Sequence, residues 1–343
     1  MNNIKKIWVC EFITGGGFNH ADLPVCLARE GALMRDALLS DLADMPFEIS
    51  TTVDARLAPP THCQHYELIN ASHDVWQIWT NAILQADAVW VIAPETDGIL
   101  LKFATLTKQL GKIWLGCDIE TIDMCGDKLK TAEFLQKNDV PVPTFTIATF
   151  LAYLVKNPNI LWKNNQRYVC KPRFGAGCED TVVFSSLLKI LRFMRAGREQ
   201  SHIIQLFIQG AAASFNMLCV DAKVILLSCN EQKIVDTVGV LAYKGCVVNG
   251  FSQHRQGFEM AALVLAARLP GLQGFVGVDV VIGRNHKGHD TLYIIEINPR
   301  LTTSYAGLRQ SIKQNPVKLY LETLQNPAFK MPKLAQKSVT IHV

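Results

Sequence analysis

No run of Lys and Arg occurs in this chain, and its basic residues are not interleaved with aromatics, so a nucleic-acid surface is not indicated. No apolar stretch approaches the length that spans a bilayer, which excludes a helical membrane protein. The N-terminus, MNNIKKIWVCEFITGGG, has only a short apolar stretch before its glycines and does not read as a signal peptide. CxxC pairs are missing, and the nine histidines show no paired ligand spacing. The ten cysteines are scattered, several inside apolar strand-like runs such as YVCKP and NMLCV, and read as buried thiols of a reducing cytoplasm. Low-complexity tracts, internal repeats and long linkers are absent too. No Ser/His/Asp or Cys/His constellation suggests a covalent nucleophile.

What is present is an ordinary globular composition with a mild net charge of +4 over 343 residues, long enough for two or three subdomains. Residues 1–120 alternate apolar strand-like runs, Ile4–Phe12, Ala88–Ala93 and Lys112–Gly116, with helix-like Leu23–Leu42 and Leu100–Leu110. That order implies a parallel sheet. Gly15-Gly16-Gly17 lies at the first strand-to-helix turn, either as a plain tight turn or with N–H groups facing an anion; it is not GxGxxG. In the middle, Asp127 can cap a helix running to Lys137, a second helix is expected near Thr149–Lys156, and strands are expected at Arg167–Lys171, Thr181–Phe184 and Ile203–Ile208. The last third is strand-rich, with one helix near Phe258–Arg268. The expected division is 1–120, 121–200 and 201–343.

The most informative stretch is GFVGVDVVIGRNHKGHDTLYIIEINPR. It reads as strands Gly274–Ile282 and Thr291–Ile297 joined by a turn centred on Lys287-Gly288. In an antiparallel hairpin of that register Asp279 faces Glu296, and Asn298 shares their face. Two facing carboxylates repel unless a cation lies between them, and oxygen ligands of this kind suit Mg²⁺ or Mn²⁺ shared with a polyphosphate. The competing reading is a hairpin with a wet polar face. Lys171-Pro172 leads into Arg173-Phe174-Gly175-Ala176-Gly177, either a surface hairpin or a lysine and glycine loop holding phosphate, though not a P-loop. Ile203–Gly210 is either a plain core strand or one that offers main-chain groups of Leu206 and Ile208 to a purine edge.

The order GDK, KPRFGAG, QLFIQG, VDVV, EINPR, over Met124 to Gly307, resembles the ATP-grasp superfamily. The resemblance implies an α/β ATP-grasp fold, α+β in its C-terminal part, behind a parallel-sheet pre-ATP-grasp domain. It implies that Lys128 and Lys171 bind nucleotide phosphates, with Arg173, Gly175 and Gly177 closing over them. Gln205, Leu206 and Ile208 would form the adenine hinge, and Asp279, Glu296 and Asn298 would hold Mg²⁺ or Mn²⁺. Three positions depart from the pattern. Gln205 replaces an acid at the hinge start, Gly210–Ser214 has no acid for the ribose, and Gly277 stands where some such ligases carry an arginine. Arg300, with Lys171 and Arg173, is then the cation for the transferring oxygens.

A narrower resemblance, to tyramine–glutamate ligases of methanofuran biosynthesis, rests on EFITGGGF, Arg29-Glu30-Gly31, Ala93-Pro94-Glu95 and EINPRLTTSYAGL. It implies glutamate and tyramine or tyrosine as small-molecule substrates. Both ends of the chain carry these strings. Glu11, Gly15, Gly16, Gly17, Thr302, Thr303 and Ser304 are therefore expected around the acceptor, with Tyr305 or Phe18 as apolar walls. A cytoplasmic enzyme with no nucleic-acid or membrane partner is expected, with a homodimer left open. Other readings are a different amino-acid or peptide ligase, a nucleotide-sensing module without chemistry, and a dinucleotide-binding oxidoreductase.

Overall fold

The structure is a computed structural model that describes residues 4–147, 166–175, 179–221, 223–326 and 328–343. The helix expected near Thr149–Lys156 and the loop residue Gly177 lie outside the described residues.

The chain opens with β1 (Lys6–Glu11), α1 (Val25–Leu42), β2 (Glu48–Asp54), β3 (His65–Ile69), α2 (Val75–Gln85), β4 (Ala88–Ile92), α3 (Ile99–Gln109) and β5 (Ile113–Trp114). The strands form a parallel sheet in the order β3-β2-β1-β4-β5. β1 and β4 are almost wholly buried, as expected of central parallel strands covered on both faces. The edge strand β3 is exposed along most of its length, so it shows no apolar alternation and was not anticipated. α2 was not anticipated either, although Val75, Trp79 and Ile83 recur at helical spacing and the Asp74 side chain accepts from Gln77 N–H at 3.2 Å.

α4 (Ile119–Gly126) and α5 (Lys128–Lys137) lead into β6 (Phe145–Ile147), β7 (Tyr168–Pro172), β8 (Val182–Phe184), α6 (Leu187–Arg195) and β9 (His202–Leu206). Tyr168, Cys170, Ile190, Met194 and Ile204 give this unit a small core of its own. β9 pairs with β6 and β7, so the sheet of the middle unit runs past the border expected near residue 200.

The remainder is β10 (Gly210–Val220), β11 (Lys223–Thr237), β12 (Val240–Val248), α7 (Arg255–Arg268), β13 (Gly274–Arg284), β14 (Asp290–Asn298), α8 (Leu308–Ile312), α9 (Pro316–Gln325) and β15 (Val339–His342). With the middle strands it makes one antiparallel sheet, ordered β14-β13-β10-β11-β12-β8-β7-β9-β6, with β15 on β12. The N-terminal sheet packs on it through aromatics. Trp90 stacks on Phe275 at 5.9 Å, and Phe275 meets Tyr305 edge-on at 5.1 Å. Each such pair contributes about 0.5–1.5 kcal/mol beyond its buried area. The nine described cysteines are all free thiols, and of these only Cys26 is exposed. Among the described residues no helix is long and apolar enough to cross a membrane.

Candidate active site

The two sheets and the middle unit enclose a cavity of about 470 Å³. Its floor is the β13–β14 hairpin. Asp279 pairs with Glu296 and Gly277 with Asn298. Near the turn the register is centred on Lys287 rather than between Lys287 and Gly288; a bulge on β14 at Ile295 then brings Asp279 opposite Glu296. The extra residue frees a carbonyl from the ladder, as bulges beside functional sites do. Lys171 Nζ donates to that Ile295 oxygen at 3.3 Å.

Asp279 is held at both oxygens, by Gln232 Nε2 at 2.6 Å and by Asn298 Nδ2 at 3.3 Å. Burial, then the charge of Glu296, pushes its carboxyl up to about 7. A divalent cation would relieve that repulsion, and the carboxylate and amide donors suit a hard ion. Among the described residues no group of three or more His, Cys, Asp and Glu side chains is placed to hold a metal. An ion here would therefore complete its shell from outside the protein, as phosphate oxygens could.

Lys128 stands at the start of α5, where Asp127 caps the helix by accepting from Leu129 N–H at 2.9 Å. Its ammonium meets Glu296 at 2.9 Å and the carbonyl of Gly175 at 2.5 Å. Lys128 and Lys171 thus converge from separate elements, and both are buried. Arg173 does not join them. Its guanidinium binds both oxygens of Asp127, at 3.2 and 2.5 Å, and it does not line the cavity. That pair fastens β7 to α5, and so serves the lysine rather than a ligand.

At the far end Gln205, Leu206, Phe207 and Ile208 line the cavity. Leu206 cannot offer its N–H to a purine, because it donates to Thr144 O at 2.7 Å. Ile208 lies beyond the end of β9 and has no main-chain hydrogen bond to another described residue. Between hinge and hairpin, Ala212 and Ser214 of β10 and Gln232, Ile234 and Tyr243 of β11 and β12 form the wall. These last three were missed in the sequence. They lie on strands with no motif, and only the sheet order brings them in.

Arg300 lines the cavity and is clamped by Glu95, with Nε and Nη2 donating at 2.9 and 3.0 Å. Burial works against the guanidinium charge, and Glu95, with the more distant Glu296 and Glu30, outweighs it. The string Ala93-Pro94-Glu95 thus has a structural role: it follows β4 and delivers this carboxylate. Gly277 has a role too. A Cβ there would lie 2.3 Å from Thr302 Cγ2, so Thr302 fills the place of the missing side chain. Thr302 and Ser304 both donate to Asn216 Oδ1 at 3.1 Å, and Thr303 donates to Glu30.

Of the residues expected around the acceptor, Thr302, Thr303 and Ser304 line the cavity, whereas Glu11, Gly15, Gly16 and Gly17 do not. Glu11 is spent on its own turn, accepting from the N–H groups of Ile13 and Thr14 and the Thr14 hydroxyl. Gly16 adopts φ 105°, and a Cβ on it would lie 2.6 Å from Ile69. The glycine turn is packed against the core, which leaves no berth for a pyrophosphate and removes the basis of the dinucleotide reading. Tyr305 and Phe18 do not wall the cavity either. Tyr305 is buried and donates to Asp41 at 2.7 Å.

Comparison with known proteins agrees with this geometry. The ATP-grasp domain family matches residues 125–304, and the pre ATP-grasp 3 domain matches residues 47–122. A tyramine–L-glutamate ligase of Methanocaldococcus jannaschii is 25% identical over 340 residues, covering 97% of this chain and 94% of that protein. That of Methanocaldococcus fervens is 29% identical over 225 residues, 65% of this chain; the match spans 62% of the relative's length. Among solved structures, an Archaeoglobus fulgidus protein described under the ATP-grasp superfamily superposes with a TM-score of 0.68 at 21% identity, over 98% of this chain and 99% of the other.

Proposed function

The chain belongs to the ATP-grasp family, and from that premise we propose that it is an ATP-dependent carboxylate–amine ligase. One observation carries the reading: Lys128, Lys171, Asp279, Glu296, Asn298 and Arg300 converge on a single cavity that ends in a hinge strand. In this reading the adenine lies against Gln205 and the main chain of Ile208, whose acceptor and donor groups suit its edge. Lys128 and Lys171 take the phosphates, the former exchanging Glu296 for the nucleotide. A Mg²⁺ or Mn²⁺ ion at Asp279, Glu296 and Asn298 would neutralise charge on the β- and γ-phosphates.

The acid substrate's carboxylate attacks the γ-phosphorus in line, giving an acyl phosphate and ADP. An amine then attacks the acyl carbon, and the C–O bond to phosphate breaks. Neither step requires a protein nucleophile, so the work is positioning and electrostatics. Arg300, with its orientation set by Glu95, faces the reacting carboxyl group and the oxyanion that develops there. Arg300→Lys should be damaging, because an ammonium cannot reproduce the guanidinium fork.

The names of the two relatives and the strings at both ends of the chain favour glutamate, through its γ-carboxylate, as the acid. They favour tyramine or tyrosine as the amine, in methanofuran or methylofuran biosynthesis. The test is ADP release with Mg²⁺ or Mn²⁺, with products weighed by mass spectrometry. Glutamate with tyramine or tyrosine should release ADP and form the amide, and each substrate alone should fail. Turnover with another acid and amine only would remove this substrate pair, and no ADP with any pair in a broad panel would remove the ligase.

A further inference from the structure

The cavity holds a carboxylate that the phosphate chemistry leaves unused. Glu30 reaches it from α1, on the N-terminal side, and lines it beside Arg300, Thr303 and Tyr243. The adjacent Gly31 makes this approach possible, since a Cβ there would lie 2.4 Å from the Glu11 carboxylate. Of the other cavity carboxylates, three are already engaged. Asp279 and Glu296 face each other, and Glu296 is paired with Lys128. Asp236 caps its own turn at Gly239 and meets Arg167. Glu179 also lines the cavity, but it follows the glycine loop after β7 rather than the strand and turn that carry Arg300 and Thr303. Glu95 occupies Arg300 at Nε and Nη2. Glu30 receives the Thr303 hydroxyl, and among the described residues no basic side chain lies within ion-pair distance of it. Arg300 acts on Glu30 only through longer-range charge, with its fork held by Glu95. A carboxylate with no direct ion-pair partner, next to the group that orients the acyl carbon, is a receptor for a cation, and the second substrate is one. Amines enter as ammonium ions and cannot attack until a proton is removed.

We propose that Glu30 binds the ammonium group of the acceptor and takes its proton as the nitrogen attacks; the proposal rests on the ligase reading above. The balance is simple. The Glu30 carboxylate accepts one proton from the ammonium, the N–C bond forms, and the C–O bond to phosphate breaks. The second amine proton leaves with the phosphate as hydrogen phosphate, and Glu30 returns its own proton to water. A positioned base of this kind contributes roughly 10²- to 10⁴-fold.

The experiment compares two nucleophiles in wild type and Glu30→Gln, with ATP, Mg²⁺ and glutamate. Tyramine enters as a cation, whereas hydroxylamine is neutral at pH 7.5 and traps the acyl phosphate as a hydroxamate. Glu30→Gln should lose roughly 100-fold or more in kcat/KM for tyramine while hydroxamate formation stays within about threefold of wild type. Hydroxamate formation also reports that the variant is folded, and Glu30→Asp should restore part of the tyramine rate. Equal loss of both products would place Glu30 on the acid substrate or in the scaffold, and undiminished amide synthesis would make it dispensable; either overturns the proposal. Failure of the wild-type protein to form hydroxamate with any acid in the panel removes the ligase reading itself, and this one with it.

Discussion

Replacing Glu95 by Gln is the sharpest perturbation of this site. Glu95 and Arg300 bind each other through two contacts at 2.9 and 3.0 Å, with side chains only 5% and 10% exposed. They join the loop after β4 to the loop after β14, so the N-terminal sheet sets the orientation of the arginine. Gln keeps the shape but removes the charge and turns an amide N–H₂ toward the guanidinium. Breaking one side of a buried ion pair costs about 3–5 kcal/mol, because the remaining charge stays desolvated without compensation. At about 2 °C per kcal/mol for a large chain, Tm should fall by roughly 6–10 °C. Arg300 should also lose its aim, so kcat should drop at least tenfold at temperatures where the variant is folded. The double variant Glu95→Gln/Arg300→Met separates the two effects. With neither charge buried, most of the lost Tm should return, while activity should fall further because the group facing the reacting carboxyl is gone. Differential scanning calorimetry and ADP release measure the two readouts. A single variant within about 1 °C of wild type, or a double variant whose loss is the sum of the singles, would refute the reasoning.

Three further outcomes are expected. Asp279→Asn and Glu296→Gln should each lower turnover by roughly two orders of magnitude with the fold retained, and near wild-type ADP release from both would remove the metal assignment. Asp41, raised from 3.8 to about 6 chiefly by burial, keeps in the folded state a proton that the unfolded chain has already shed, so stability should fall by about 2–3 kcal/mol as pH rises through that window. The Tm of Asp41→Asn relative to wild type should therefore climb from pH 4 to 6 and level off above, and a flat or falling difference would contradict the burial argument. Gly277→Ala drives a Cβ to 2.3 Å from Thr302 Cγ2 and should cost about 1–3 kcal/mol along with activity; adding Thr302→Ser should recover much of both, and no recovery would show that the strain lies elsewhere.

The hairpin shows how far local patterning reaches. Alternation alone brought Asp279 and Glu296 to facing positions, although the bulge at Ile295 and a displaced turn centre were invisible and happened to offset each other. Asp127 was readable as a helix cap because capping is a rule of adjacent residues. Arg173 was misjudged for the opposite reason. Its sequence neighbours are a lysine and glycines, but its partner in space is Asp127, 46 residues away. The Gly15–Gly17 turn misled in the same way: a glycine run states that the backbone is tight, and not whether Ile69 or a ligand lies against it.

By itself the sequence determined what short-range physics controls. The alternation of strands and helices set the parallel N-terminal sheet, parity set the carboxylate face, and the order of motifs set the family. The tertiary structure alone decided which charges are available. Glu95 occupies Arg300, Lys128 rests on Glu296, and Leu206 gives its N–H to Thr144, all through contacts between elements far apart in the chain. It also brought Gln232 and Tyr243 to the cavity wall from two strands that carry no motif, and it gave Glu30, known in the sequence only as part of a resembling string, a place beside them. Whether a side chain serves the fold or a ligand depends on what desolvates and pairs it, and that is a property of distance in space rather than of spacing along the chain.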